Sequence, residues 1–400
     1  MKGLCGIELD NDKIFLSFSS LTNSCLIFRK EVSLTLKRPI SSDLLNDDSF
    51  KENLNWEKFI KYIKTNADKL QQIIKEEEKQ LSLKISEISI TIPEALCRTI
   101  SVEKEIVFKT RRKIGVRDII YAKRYLQDLS LEWDSFCFHH FVGRYTIDGN
   151  NYEKPPLGVT TKKITLASTL VWIPSRFREE LAAVINNLDK RLAIIVAEDI
   201  GAYALVFDKQ SADDTHVLIK VSYNDCRVFV LKRGHRLSDF SVDFSLKILI
   251  DKLAEHFMLT ESIAMELFDR YISFRTLSYN DKVTKEVSVR NGDCYLNLSI
   301  NTLNSFVKEH LGKVFDQIAD KLDAFPAEKP FQVSLLGRLN PKEAISAFFQ
   351  ENMPYSTVMP VVKIESTALG SMLYGRFRFF EDLVKDNFFH RVAKIYKEYF

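Results

Sequence analysis

Residues 216–242 read HVLIKVSYNDCRVFVLKRGHRLSDFSV. Three apolar runs, 216–221, 227–232 and 236–242, are separated by short polar turns and predict three consecutive antiparallel strands. A helix follows, because Leu246, Leu249, Ile250, Leu253 and Phe257 recur at threes and fours. The first 95 residues have the same order. Strands are predicted at 4–9, 14–18 and 24–36, with Asp10-Asn11-Asp12 as the first reversal. After a polar stretch, 41–55, one helix carries Trp56, Phe59, Ile60, Ile63, Ala67, Leu70 and Ile74 on a single stripe. Lys75-Glu76-Glu77-Glu78-Lys79 is its solvated end. A buried-type strand, 85–92, is stopped by Pro93. A β-β-β-α-β plan therefore occurs twice, the mark of a duplicated unit.

Between the copies the texture changes. Residues 96–172 hold a strand (99–107), the basic triplet Arg111-Arg112-Lys113 read as an exposed loop, and a short amphipathic helix through Val116, Ile119, Ile120, Leu126 and Leu129. Strands at 135–147 and 163–173 follow, around the turn-rich DGNNYEKPPLG, so this stretch reads as a compact insert. A striped helix (Phe177, Leu181, Val184, Ile185, Leu188), a buried strand (192–197) and a helix (198–207) return to the α/β alternation. Past the second meander come a helix at 260–268, strands near 286–298 and a long helix striped by Leu303, Val307, Leu311, Val314, Ile318 and Leu322. A strand (331–336) and helices at 341–349 and 366–374 complete the reading.

Composition narrows the chemistry. In 400 residues, 57 bases against 54 acids leave a net charge of +3, so no nucleic-acid partner is expected. Six scattered cysteines (5, 25, 97, 137, 226 and 294) without a CxxC suit a reducing compartment. His139 and His140 are adjacent on a strand and point to opposite faces, so no shared metal is expected. The amino terminus lacks a signal-peptide core and no run is long enough to span a bilayer, which places the expected protein in the cytoplasm. Glycine is scarce: 13 residues, about 3%, against roughly 7% in average usage. Glycine lets backbone close around phosphate, so the shortage argues against phosphate chemistry. No P-loop, GxGxxG or GxSxG occurs, and no catalytic residue is assigned.

Two facing copies of a three-stranded meander, helix and strand are the ground plan of the actin-like (ribonuclease H-like) ATPase superfamily. The chain resembles one branch, the bacterial cell-division FtsA family. The insert, with Tyr145-Thr-Ile-Asp-Gly149 and Pro156-Leu-Gly158, is similar to that family's inserted subdomain. Leu335-Leu-Gly337-Arg338, Thr367-Ala-Leu-Gly370 and Ser371-Met-Leu-Tyr-Gly375 are similar to its carboxyl-terminal landmarks. The resemblance implies a two-lobed α/β fold of duplicated βββαβα units. Residues 1–95 and 173–212 would form the first lobe, 96–172 the insert, 213–379 the second lobe with an FtsZ-facing subdomain around 301–322, and 380–400 a membrane-targeting helix. PilM, a type IV pilus relative of the same fold, is the competing resemblance; it implies an adaptor that binds a short peptide of a membrane partner.

In this superfamily ATP lies between the lobes, cradled by glycine-rich hairpins. Here Glu8-Leu-Asp-Asn-Asp-Lys13 stands where D-x-G-T-S-K is expected, so Asp10 replaces the glycine and adds charge of the wrong sign. Lys220-Val-Ser-Tyr-Asn-Asp-Cys226 stands where D-I-G-G-G-T-T is expected. The adenosine loop keeps only Gly337, followed by Arg338. Two outcomes stay open. Glu8, Asp10, Lys13, Asn224, Asp225, Gly337 and Arg338 retain weak ATP and Mg²⁺ binding, or the cleft is vestigial and the fold a scaffold; the lost glycines favour the scaffold.

The tail has its own pattern. Phe388, Phe389, Val392, Ile395, Tyr396, Tyr399 and Phe400 recur on one helical face, beside or opposite His390, Arg391, Lys394 and Lys397. That describes a helix lying on anionic lipid; a terminal core helix is the alternative. The expected protein is a peripheral tether on the inner face of the cytoplasmic membrane, joining an FtsZ-type division polymer and self-associating into filaments. A nucleotide-gated ATPase of the same family is the other member of the pair.

Overall fold

The computed structural model describes residues 1–10, 13–22, 25–36, 52–206, 214–232, 235–275, 286–291, 294–325, 331–353, 356–358 and 365–377. The first sheet has the order β3-β2-β1-β4-β9 and is built from β1 (Lys2–Leu9), β2 (Lys13–Thr22), β3 (Cys25–Thr35), β4 (Lys84–Ile92) and β9 (Arg191–Ala197). The second has the order β12-β11-β10-β15-β16 and is built from β10 (Thr215–Val221), β11 (Cys226–Lys232), β12 (His235–Val242), β15 (Phe331–Gly337) and β16 (Ser356–Val358). In both, the first three strands form an antiparallel meander and the first strand pairs in parallel with the fourth. The duplication expected from the two meanders is thus a duplication of complete sheets.

Between the first sheet's strands lie α1 (Glu52–Thr65), α2 (Ala67–Gln80) and α4 (Ser175–Asn186), which cover one face. The single helix expected through residue 74 is two. Asn66 breaks it by turning its side-chain amide onto the Tyr62 carbonyl at 2.9 Å, a local bond that competes with helix continuation. The insert pairs β5 (Arg98–Lys113), β8 (Thr160–Pro174), β6 (Ser135–Ile147) and β7 (Asn150–Tyr152) in the order β5-β8-β6-β7, and α3 (Val116–Ser130) packs on one face. The basic triplet is not a loop. It extends β5, with Arg112 and Lys113 paired to Thr161 and Thr160 of β8.

On the second sheet α6 (Leu246–His256), α7 (Glu261–Tyr271), α8 (Ile300–Asp323) and α9 (Ile345–Asn352) bury the largest apolar cluster. Ser245, Thr260 and Ser299 start three of these helices by accepting from the backbone N–H three residues on. A hairpin, β13 (Glu286–Asn291) and β14 (Cys294–Ser299), leads into α8. The inner faces of the two sheets meet across α5 (Glu198–Val206). There Val196, Ile200 and Tyr203 pack with Leu218, Phe229, Leu231 and Leu336. Finally α10 (Ala368–Phe377) returns to lie on the first sheet beside α5. The carboxyl-terminal stripe, 388–400, lies outside the described residues. No helix among the described residues is long and apolar enough to cross a membrane.

Candidate functional site

Three turns converge where the lobes face each other. The first joins β1 to β2: Asp10 N–H donates to the Lys13 carbonyl at 2.9 Å. The second joins β10 to β11: Ser222 N–H donates to the Asp225 carbonyl at 2.9 Å. The third follows β15, where Arg338 N–H donates to the Val221 carbonyl at 2.8 Å. Gly337 permits that last approach. Its φ is +84°, and a Cβ there would lie 2.2 Å from the Val221 carbonyl oxygen. Gly337 therefore draws two loops together.

Glu8 and Lys220 are each the penultimate residue of the first strand of their sheet. The two sheets face, so these equivalent positions meet. Lys220 Nζ is paired with both Glu8 and Glu198, and the Lys220 and Glu8 side chains are 5% and 4% exposed. Burial pulls the ammonium pKa down, but Glu198, Glu8 and Asp10 outweigh it and hold it above its usual value. The other oxygen of Glu8 accepts from Thr367 N–H and from Thr367 Oγ1, the latter at 2.8 Å. Both oxygens of Glu8 are thus held by the chain's own donors, which a buried charge needs.

Flanking pairs continue the pattern. Arg338, its side chain buried, donates to Asp10 at 3.1 Å and to Glu365 at 3.1 Å, and stacks on Phe15 at 4.9 Å. Lys13 lies 3.7 Å from Glu365. Arg227 pairs with Glu94 at 2.8 Å and with Asp225 at 3.3 Å. Arg236 pairs with Glu94, lies 3.9 Å from Asp199 and donates to Thr99 of the insert at 3.1 Å. The bases Lys220, Arg227, Arg236 and Arg338 belong to the second lobe. Their cross-lobe partners Glu8, Asp10, Glu94, Glu198 and Asp199 belong to the first, while Asp225 and Asp239 pair with Arg227 and Arg236 within the second lobe and Lys13 adds a first-lobe base. The cleft is a seam of mixed ion pairs.

Burial, with like charge nearby, raises two carboxyls. Asp199 is pushed up to about 7 by burial, with Glu198 and Asp239 adding to it. Asp225 is raised by burial and by Glu198, against the pull of Arg227 and Lys220. Among the residues singled out by sequence, Glu8, Asp10, Lys13, Asp225, Gly337 and Arg338 come together at this seam, and Asn224 is half-buried in the second turn. Sequence reasoning did not place Glu94, Glu198, Arg227, Arg236, Glu365 or Thr367 at the site. Thr367 stood out only within a carboxyl-terminal landmark, and Glu198 only as the acid that follows a buried strand. His139 has a structural part: Ala197 N–H donates to its Nε2 at 3.0 Å, which leaves Nδ1 as the protonated nitrogen facing Tyr374 Oη at 3.1 Å.

No protein-family model matches the chain, and no curated protein matches it by sequence. Among solved structures it is similar to that of the PilM–PilN type IV pilus biogenesis complex, at 12% identity, covering 94% of this chain and 98% of that one with a TM-score of 0.49. It is similar to the ethanolamine utilization protein EutJ from Carboxydothermus hydrogenoformans, at 12% identity, 94% and 90% coverage and a TM-score of 0.49. It is also similar to MreB5 of Spiroplasma citri bound to ADP, at 9% identity, 100% and 99% coverage and a TM-score of 0.48. Likeness at this level carries nothing about activity or partners; the fold rests on the chain's own strand order. Two sheets of identical topology, facing across a cleft where three turns meet, make this an α/β protein of the actin-like, two-lobed fold.

Proposed function

We propose that this chain is a non-hydrolysing actin-like scaffold whose cleft is closed by its own side chains. The observation that carries the reading is Lys220, buried between Glu8 and Glu198. In an ATPase of this fold a divalent cation and phosphates would need that carboxylate-lined space, and here an ammonium on the second lobe fills the cationic role permanently. Arg338 and Asp10 neutralise each other in the same way. A triphosphate would have to break these pairs and would meet Asp10 and Asp225 in place of glycine amides.

Resemblance to the FtsA family supplies the finer part of the proposal. The scaffold would tether an FtsZ-type filament to the inner face of the membrane, with Phe388, Phe389, Val392, Ile395, Tyr396, Tyr399 and Phe400 on the lipid and Arg391, Lys394 and Lys397 toward anionic headgroups. Isothermal titration with Mg-ATP is the first test. No heat of binding is expected up to about millimolar nucleotide, and micromolar affinity would sink the scaffold reading. Liposome flotation with and without residues 380–400 is the second. Loss of flotation on deletion is expected, and unchanged flotation would remove the tether.

One observation favours a second reading, a PilM-like adaptor. A groove of about 370 Å³ separates the insert from the first lobe, lined by Phe136, Phe138, His140, Arg178, Leu192 and Ile194 among others. It runs beside β9, the edge strand of its sheet, so an extended peptide could add to that edge. Flotation that survives loss of the tail would shift weight to this adaptor.

A further inference from the structure

The insert carries a surface that neither the cleft nor the groove uses. α3 buries Ile119, Ala122 and Leu126 against its sheet. On the outward side Tyr121, Tyr125 and Leu129 stand one turn apart, 52%, 40% and 56% exposed, and the two tyrosine rings stack at 5.8 Å. The turn after α3 adds Trp133, 97% exposed. Four large exposed apolar side chains lie within 13 residues, with Ile120 (48% exposed) beside them, where isolated exposed apolar residues would call for no explanation.

The charges beside the stripe run in a definite direction. Arg117 is exposed near the start of α3, with Arg111 and Lys113 of the β5 extension before it. Arg124 and Asp128 are exposed in the middle, one turn apart. Glu132 and Asp134 flank Trp133 at the far end. Arg117, Arg124, Asp128, Glu132 and Asp134 have no ion-pair partner among the described residues. The stripe is therefore basic at one end, acidic at the other, and mixed at its centre. Such a surface is complementary to itself turned end for end.

We propose that two copies of this chain associate through α3, packed antiparallel about a twofold axis near Tyr125. In that register Tyr121 of one copy faces Leu129 of the other, and the two Tyr125 rings meet at the axis. Arg117 faces the partner copy's Trp133 with its two flanking acids, which suits both a cation–π contact and an ion pair. Arg124 lies within one turn of the partner copy's Asp128, twice by symmetry. An isologous contact of this kind closes on itself and gives a dimer. The apolar stripe offers about 500 Å² per copy, at roughly 200 Å² for a large side chain. A stable interface takes about 800 Å² per partner, so the charged flanks must contribute and the dimer should be concentration-dependent. The contact lies on the insert and is independent of the closed-cleft reading.

Sedimentation velocity on the full chain from about 1 to 100 μM tests it. The wild type is expected to pass from monomer to dimer. Tyr125→Glu, at an outward position that leaves the insert core intact, is expected to stay monomeric. Arg124→Asp and Asp128→Arg are each expected to weaken dimerisation at least tenfold by opposing like charges, and the double variant to recover it. A wild type that stays monomeric throughout, or a dimer that survives Tyr125→Glu, overturns the proposal. So does a double variant no better than either single one. Circular dichroism confirms that each variant is folded.

Discussion

Lys220 and Glu8 sit at the same position in the two copies of one structural unit, and they carry opposite charge. Two carboxylates there would need a bound cation; a carboxylate and an ammonium compensate each other. Buried pairs are costly to break, because the survivor keeps its charge without a partner. Lys220→Ala should therefore lower unfolding free energy by about 3–5 kcal/mol in urea titration, leaving both Glu8 and Glu198 uncompensated. Glu8→Gln in that background should recover part of the loss. Asp199 gives a pH signature of definite sign. Its ordinary value is 3.8 and burial holds it at about 7, so the folded state binds its proton more tightly than the unfolded one. Its contribution to stability is then greatest below about pH 4 and falls as pH rises toward 7, constant above that. Asp199→Asn removes the dependence. The stability of the variant relative to wild type should rise between pH 5 and 7.5 by about 1 kcal/mol or more, read from denaturant midpoints at each pH.

At the scale of elements, α10 decides how tightly the first lobe is closed. It lies so near α5 that a Cβ on Gly370 would fall 1.8 Å from the Gly201 carbonyl oxygen. Backbone cannot yield as a side-chain tip can, so Gly370→Ala should destabilise by about 1–3 kcal/mol despite the better helix propensity of alanine. Gly312 in α8 is the contrast. Its added Cβ would meet only Asn352 Oδ1 at 3.6 Å, so Gly312→Ala should stabilise by roughly 0.5–1 kcal/mol. Thermal or urea melts of the two variants should move in opposite directions. Long elements were legible in sequence because their apolar periodicity repeats many times, as in α8 or the two meanders. β16 was not, since three residues give no period to read. The break at Asn66 was hidden for another reason: the apolar stripe continues through it, and the division lies in the Asn66 backbone (φ −104°, ψ 7°) and its side-chain bond to Tyr62.

For the molecule as a whole, the proposed scaffold makes a thermal prediction, because ligand binding to the folded state alone raises stability. A nucleotide that bound the folded state at 100 times its dissociation constant would stabilise it by about 2.7 kcal/mol. Addition of about 5 mM Mg-ATP should leave the melting temperature unchanged, measured by calorimetry; a rise of several degrees would mean that the cleft still opens to nucleotide. Scarce glycine has a corresponding whole-molecule meaning. Of the glycines that remain, Gly337 and Gly370 serve close backbone approach, in one case between two loops of the cleft and in the other between α10 and α5.

Sequence alone determined the duplicated α/β plan and the change of texture between the copies, because both are written in local pattern. It gave Lys220 no partner. That this lysine lands between Glu8 and Glu198, and that the second lobe's bases face the first lobe's acids, was decided by tertiary structure. Glu8 and Lys220 are separated by 212 positions in the chain, and no local pattern joins them. The two facing sheets do, by bringing equivalent strand ends to one point.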